Sequence, residues 1–234
     1  YTGSPSMLAG RVKTLHPKIH ASLLALRDVK EQMDEIRKHN IKLIDMVVVN
    51  FYPFEEIVNE EKMEVKKILE NIDIGGPTML RSAAKNFPYV AAVSDPSQYP
   101  KILKELKENN SYLSEETSFD LAINVFQKTS VYDNFIANYF QREKGEKFPD
   151  VISLNYIKEK KLNYGENPHQ SAIFYRELAK KEGTLSSAQK LSGKELSFNN
   201  LLDLNSALRI VKEFKEPAAV VIKHTNPCGA GCAS

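Results

Sequence analysis

A chain of 234 residues with 42% hydrophobic and 26% charged side chains, 11 Phe and 10 Tyr can bury a sizeable core, which excludes an intrinsically disordered polypeptide. Its 32 basic and 30 acidic residues leave a formal charge of only +2 and are scattered, so no broad field draws it to nucleic acid or to an anionic membrane. Apolar runs such as Met46 to Val49 fall far short of the roughly 18 residues a membrane span requires.

Along the chain, Val29, Met33 and Ile36 recur at helical spacing, and Ile44 to Phe51 is continuous and β-branched, predicting a helix followed by a buried strand. A second cycle runs from a helix around Met63 to Leu69, through the loop Asp73 to Pro77, to a short helix and a strand from Tyr89 to Val93. This alternation predicts an α/β fold with a parallel sheet. Asp95-Pro96 is a helix start whose stripe is Tyr99, Ile102, Leu103 and Leu106. Ser114 caps a helical pattern running through Phe119, Ala122, Val125 and Tyr132 to Phe140, as one long helix or two. Gln141 to Pro149 lacks any apolar period and reads as a linker, with a domain boundary near residue 147. Beyond it, Ala172 to Tyr175 reads as strand and Leu202 to Phe214 as helix. Ala218 to Ile222 reads as a buried strand delivering Lys223 and His224 to a loop. The chain starts without a methionine and stops just after a glycine-rich stretch, so both ends read as truncations.

Several stretches concentrate chemistry. Arg11-Val12-Lys13-Thr14 puts two cations and a hydroxyl after Gly10, a combination suited to an anionic ligand, although solvated basic residues read the same way. Tyr52 follows Asn50 at a strand end, where ligands of open α/β sheets bind; a tyrosine packed at a sheet edge competes equally. Asp73-Ile74-Gly75-Gly76 leads into a helix, so a carboxylate, free N–H groups and a close-approach backbone meet, more than a plain cap requires. Lys85 follows on the same helix, where a lysine near a carboxylate can serve as acid or base, or simply face water. Tyr164 to Gln170 is explained by turn chemistry alone, whereas Lys223-His224 sets a cation and an imidazole side by side at a strand end.

Metal chemistry is not expected. His16 and His20 are four apart, but Pro17 disturbs a shared helix and no metalloprotease Glu accompanies them. Pro227-Cys228 invites comparison with zinc deaminases, yet Asn226 stands where the Glu belongs and Cys232 is one residue too far. Two cysteines make no disulfide framework, so a reducing cytoplasm is the expected compartment.

Five ordered stretches carry a resemblance: 7–25 (MLAGRVKTLHPKIHASLLA), 49–56 (VNFYPFEE), 71–86 (NIDIGGPTMLRSAAKN), 164–170 (YGENPHQ) and 222–230 (IKHTNPCGA). Together the chain resembles the bifunctional AICAR transformylase and IMP cyclohydrolase family. The resemblance implies a methylglyoxal-synthase-like parallel α/β domain over 1–146, without its opening strands, which makes IMP by closing FAICAR. Residues 147–234 would begin a cytidine-deaminase-like transformylase domain, which forms FAICAR from AICAR and 10-formyltetrahydrofolate. Carried over, Arg11, Val12, Lys13, Thr14, Val49, Asn50, Asp73 and Ile74 would bind the nucleotide, and Lys13, Tyr52, Asp73 and Lys85 would form the cyclohydrolase set. Tyr164 would contact AICAR, Lys223 would stabilise the transition state, and His224 would accept the proton. Asn163 stands where the family has an arginine for the AICAR phosphate and cannot supply that charge. A homodimer is implied as well. Domains like methylglyoxal synthase also serve as ligand-sensing regulators without catalysis; a sensor needs neither Lys85 nor Tyr52.

Overall fold

Pro17 occupies the first position of helix α1 (Pro17–Leu24), where its fixed φ favours the helix and its missing N–H costs nothing, and the His16 side chain caps it by accepting the Lys18 N–H. The disturbance expected of Pro17 is therefore not found; the proline starts the helix that carries His20. The computed structural model describes residues 2–5, 7–8, 11–51, 65–178 and 182–233. The chain divides into two units, Tyr1–Val151 and Ile152–Ser234.

In the first unit α1 is followed by α2 (Lys30–Lys38), strand β1 (Met46–Val48), α3 (Val65–Glu70), α4 (Gly75–Lys85), strand β2 (Ala91–Val93), α5 (Tyr99–Glu108) and α6 (Glu115–Glu143). β1 and β2 pair in parallel, with Met46 opposite Ala91 and Val48 opposite Val93, and Val49 extends the ladder by donating to the Val93 carbonyl at 3.0 Å. The expected strands are present but shorter than the apolar runs that announced them. Val90 and Ala92 pack with Leu23, Leu80, Ala83 and Val125 on one face, while Ala91 and Val93 pack with Ile102 and Leu121 on the other. Helices thus cover both faces of the pair, which is why β2 is buried along its whole length and carries no polar alternation.

The 29 residues of α6 form one helix, capped by Ser114, whose hydroxyl accepts the Thr117 N–H at 3.2 Å. It runs through Glu143, so the first residues of the stretch read as linker are helical. Asn86 is buried and donates to the carbonyls of Leu23 and Ala25, closing the C-terminal end of α1.

In the second unit, β3 (Tyr156–Lys161) pairs antiparallel with β4 (Ile173–Glu177), α7 spans Phe198–Val211, and β5 (Ala218–Lys223) pairs antiparallel with β6 (Asn226–Cys232). β3 carries four charged side chains in YIKEKK and gave no strand signal in the sequence. β5 is not the buried strand expected: alternate residues are exposed, and Val221 is 65% accessible. Its neighbour β6 occupies the stretch read as a loop, so Lys223 and His224 lead into a hairpin turn.

Candidate active site

The first unit brings Thr14, Val49 and Asp73 together at the carboxyl end of β1. A β-carbon on Gly75 would collide with Thr14 Oγ1, and one on Gly76 would stand 2.5 Å from Asp73 Oδ2 and 3.0 Å from Val49 Cγ1. Three separate stretches, around Thr14, Val49 and Asp73, therefore converge on the first turn of α4, and the glycines are what let them approach. Asp73 Oδ1 accepts the Gly76 N–H at 2.9 Å, leaving Oδ2 on the Val49 side. Arg11 and Lys13 are exposed beside Thr14, with Arg11 in a solvated ion pair to Glu70 at 3.4 Å. Val12 bridges back to Met7, and Asn50 and Ile74 are exposed at the rim. The arrangement offers cations, a hydroxyl, helix N–H groups and a carboxylate to a phosphorylated ligand.

Ordinarily a helical Gly→Ala change gains about 0.5 to 1 kcal/mol. Here the crowding reverses the sign: Gly76→Ala is expected to cost about 1 to 3 kcal/mol, read as a lowered midpoint in denaturant unfolding.

Lys85 is placed differently. It closes the 11-residue helix that Gly75 opens, about 15 Å along the axis, and lines an open apolar groove with Leu24, Phe87, Phe119 and Phe126. Within the chain it is not brought to Asp73. Tyr52 lies outside the described residues.

Two side chains of α6 that the sequence did not single out reach this strand end. The buried Tyr132 hydroxyl accepts the Asp73 N–H at 2.8 Å and donates to the Asn71 carbonyl at 3.4 Å, and its ring meets Phe51 at 5.0 Å. Burial raises this hydroxyl above the ordinary tyrosine value, so it stays a neutral hydrogen-bonding group. Lys128 donates to the Ser94 carbonyl and pairs with Asp95 at 3.1 Å beyond β2. The Ser97 N–H and then Lys128 hold the Asp95 carboxyl below its usual value. Their only signal was period: both lie on the helix face that meets the sheet, where a polar residue reads as part of an apolar stripe.

His16 caps α1, and His20 Nδ1 lies 3.0 Å from Ser82 Oγ across to α4, so both histidines have structural partners. Among the described residues no group of three or more His, Cys, Asp or Glu is placed to hold a metal ion.

In the second unit, the turn from Gly165 to Gln170 is closed by the Gly165 N–H to the Gln170 carbonyl at 2.8 Å. Tyr164 is half-buried, its carbonyl accepting the Phe198 N–H at the start of α7, and Asn163 is exposed. Lys223 and His224 are exposed at the β5–β6 turn, not sealed in apolar surroundings.

Residues 1–78 match the model of the MGS-like domain, and residues 83–234 match that of the AICARFT/IMPCHase bienzyme. The chain belongs to the AICARFT/IMPCHase bienzyme family. Within it, the chain is 51% identical, over 99% of its length, to the bifunctional purine biosynthesis protein PurH of Ruminiclostridium cellulolyticum, and 49% identical over 100% to PurH of Acetivibrio thermocellus. It covers 45% of each, so it spans about half the length of these bienzyme relatives. The crystal structure of ForH superposes with a TM-score of 0.54 at 34% identity, over 59% of this chain and 71% of that one. The MGS-like match includes Thr14, Val49, Asp73 and the glycines, and the bienzyme match includes Lys85, Tyr164, Lys223 and His224.

Proposed function

We propose that a full-length chain carrying this sequence transfers the formyl group of 10-formyltetrahydrofolate to AICAR and then closes FAICAR to IMP, in de novo purine synthesis. Membership of the bienzyme family supports the pair of reactions. The observation that carries the ring-closing half is the convergence of Thr14, Val49 and Asp73 on the paired glycines of α4. Residues 1–146 would be the cyclohydrolase domain and 147–234 the start of the transformylase. The protein would act as a cytoplasmic homodimer without a metal; no helix among the described residues is long and apolar enough to cross a membrane.

Ring closure is intramolecular: the carboxamide nitrogen attacks the formyl carbon, and water leaves. The protein's task is then to fold the substrate and manage protons, and positioning alone can supply about 7 to 11 kcal/mol. Arg11, Lys13 and Thr14 would hold the phosphate, Val49, Asn50 and Ile74 would border the ribose and base, and Asp73 would take part in proton transfer, with Tyr52 and Lys85 as further proton carriers. For formyl transfer, the weakly nucleophilic amine of AICAR attacks the formyl carbon, the bond from that carbon to the folate nitrogen breaks, and tetrahydrofolate leaves with a proton on that nitrogen. His224 would accept the amine proton, Lys223 would stabilise the growing charge on oxygen, and Tyr164 would contact AICAR. Asn163 cannot pair with a phosphate as an arginine does, so that contact would be a hydrogen bond at most.

Supplying FAICAR to the full-length protein and following IMP tests the reading. Turnover is expected; saturable nucleotide binding with no IMP would instead identify a ligand-sensing module. Because Lys85 stands at the far end of α4, Lys85→Ala is expected to slow cyclisation at least tenfold less than Asp73→Ala, by initial rates at saturating FAICAR.

A further inference from the structure

The turn that joins β5 to β6 has only two central residues, His224 and Thr225, between the paired Lys223 and Asn226. Both have positive φ, 51° and 64°. A two-residue hairpin of type I′ demands this, and sequences usually meet the demand with Asn-Gly. Here the positions hold a histidine, which tolerates the left-handed region better than most residues, and Thr225, whose branched Cβ makes it strained there; neither is a glycine. A strained backbone persists only where its surroundings enforce it.

Three bonds do so. Asp203, on α7, accepts the Thr225 N–H on its Oδ1 at 2.7 Å. The Thr225 hydroxyl and the Asn226 amide both donate to the His224 carbonyl, at 2.6 and 2.8 Å. The last two are local to the turn and move with it. Only the first ties the turn to another element, and a carboxylate accepting a backbone N–H is among the stronger hydrogen bonds.

We propose that Asp203 is a positioning residue for formyl transfer, holding the strained turn so that His224 and Lys223 keep their aim. This rests on the roles given to His224 and Lys223 above. Asp203 touches no reacting atom and acts through the Thr225 amide. Catalytic geometry is steep, an ångström of misplacement costing about 10²-fold.

The test uses full-length protein. Asp203→Ala is expected to lower kcat for formyl transfer by about 10- to 100-fold while the KM for AICAR changes less than threefold. Asp203→Asn, which keeps Oδ1 as an acceptor, is expected to stay within about threefold of the parent. Adding Thr225→Gly to Asp203→Ala is expected to restore most of the rate, because glycine adopts positive φ without strain. Rates are read per folded protein, well below the unfolding midpoint of each variant, so a general loss of stability alone would leave kcat unchanged. An Asp203→Ala kcat within threefold of the parent, or no relief from Thr225→Gly, overturns the proposal. Hydrogen exchange of the Thr225 amide, faster by at least tenfold in Asp203→Ala, reads the anchor without any turnover; unchanged exchange overturns it too. A parent with no formyl transfer but a slow Thr225 amide would fault the roles given to His224 and Lys223, not the anchor.

Discussion

His224→Ala in the full-length protein is expected to lower formyl transfer by about 10²- to 10⁴-fold, the range in which removal of a general acid or base falls. The amine of AICAR must lose its proton as it attacks, and an imidazole is the side chain whose ordinary proton affinity lies near neutrality. His224 is exposed at a turn whose backbone is held from α7, so truncating its side chain removes no core packing. The loss should therefore appear in kcat, with the unfolding midpoint close to that of the parent. Formyl transfer within threefold of the parent would remove His224 from the reaction.

The second large effect is expected at Asp73. Its carboxylate accepts the Gly76 N–H and shares the surroundings of Gly76 with Val49 at the end of β1, while its own N–H is fixed by Tyr132. Asp73→Ala removes both the proton-handling group and the bond that shapes the first turn of α4. Cyclisation of FAICAR should fall by about 10²-fold or more, equivalent to at least ~2.7 kcal/mol in the barrier, with formyl transfer retained. Asp73→Asn keeps the hydrogen-bonding shape, so comparison of the two separates shape from charge. An Asn variant as fast as the parent would reduce Asp73 to a helix cap.

Much of this was legible in local chemistry. Ser114 announced α6, Asp95-Pro96 announced the entry to α5, and the paired glycines after Asp73 marked a close approach that the collisions with Thr14, Asp73 and Val49 explain. Other features were legible only through tertiary contacts. Pro17 reads as a breaker until its position at the start of α1 is known. Tyr132 and Asp203 sit in helical stripes where nothing local distinguishes a residue that grips a loop from one that fills a core or faces water. Lys85 is the reverse case. In the sequence it reads as one motif with Asp73, and the structure sets it at the far end of α4, about 15 Å along the axis from Gly75. β6 was hidden because asparagine, proline, glycine and alanine carry little strand propensity, and its pairing comes from the neighbouring β5.

The proposed function assigns ring closure to the end of β1 and formyl transfer to the β5–β6 turn, as two separate centres. Single-turnover conversion of supplied FAICAR to IMP by full-length His224→Ala, beside the parent, tests it most directly. Equal rates are expected, since ring closure at the end of β1 would need nothing from that turn; a drop in cyclisation matching the drop in formyl transfer would contradict two separate centres.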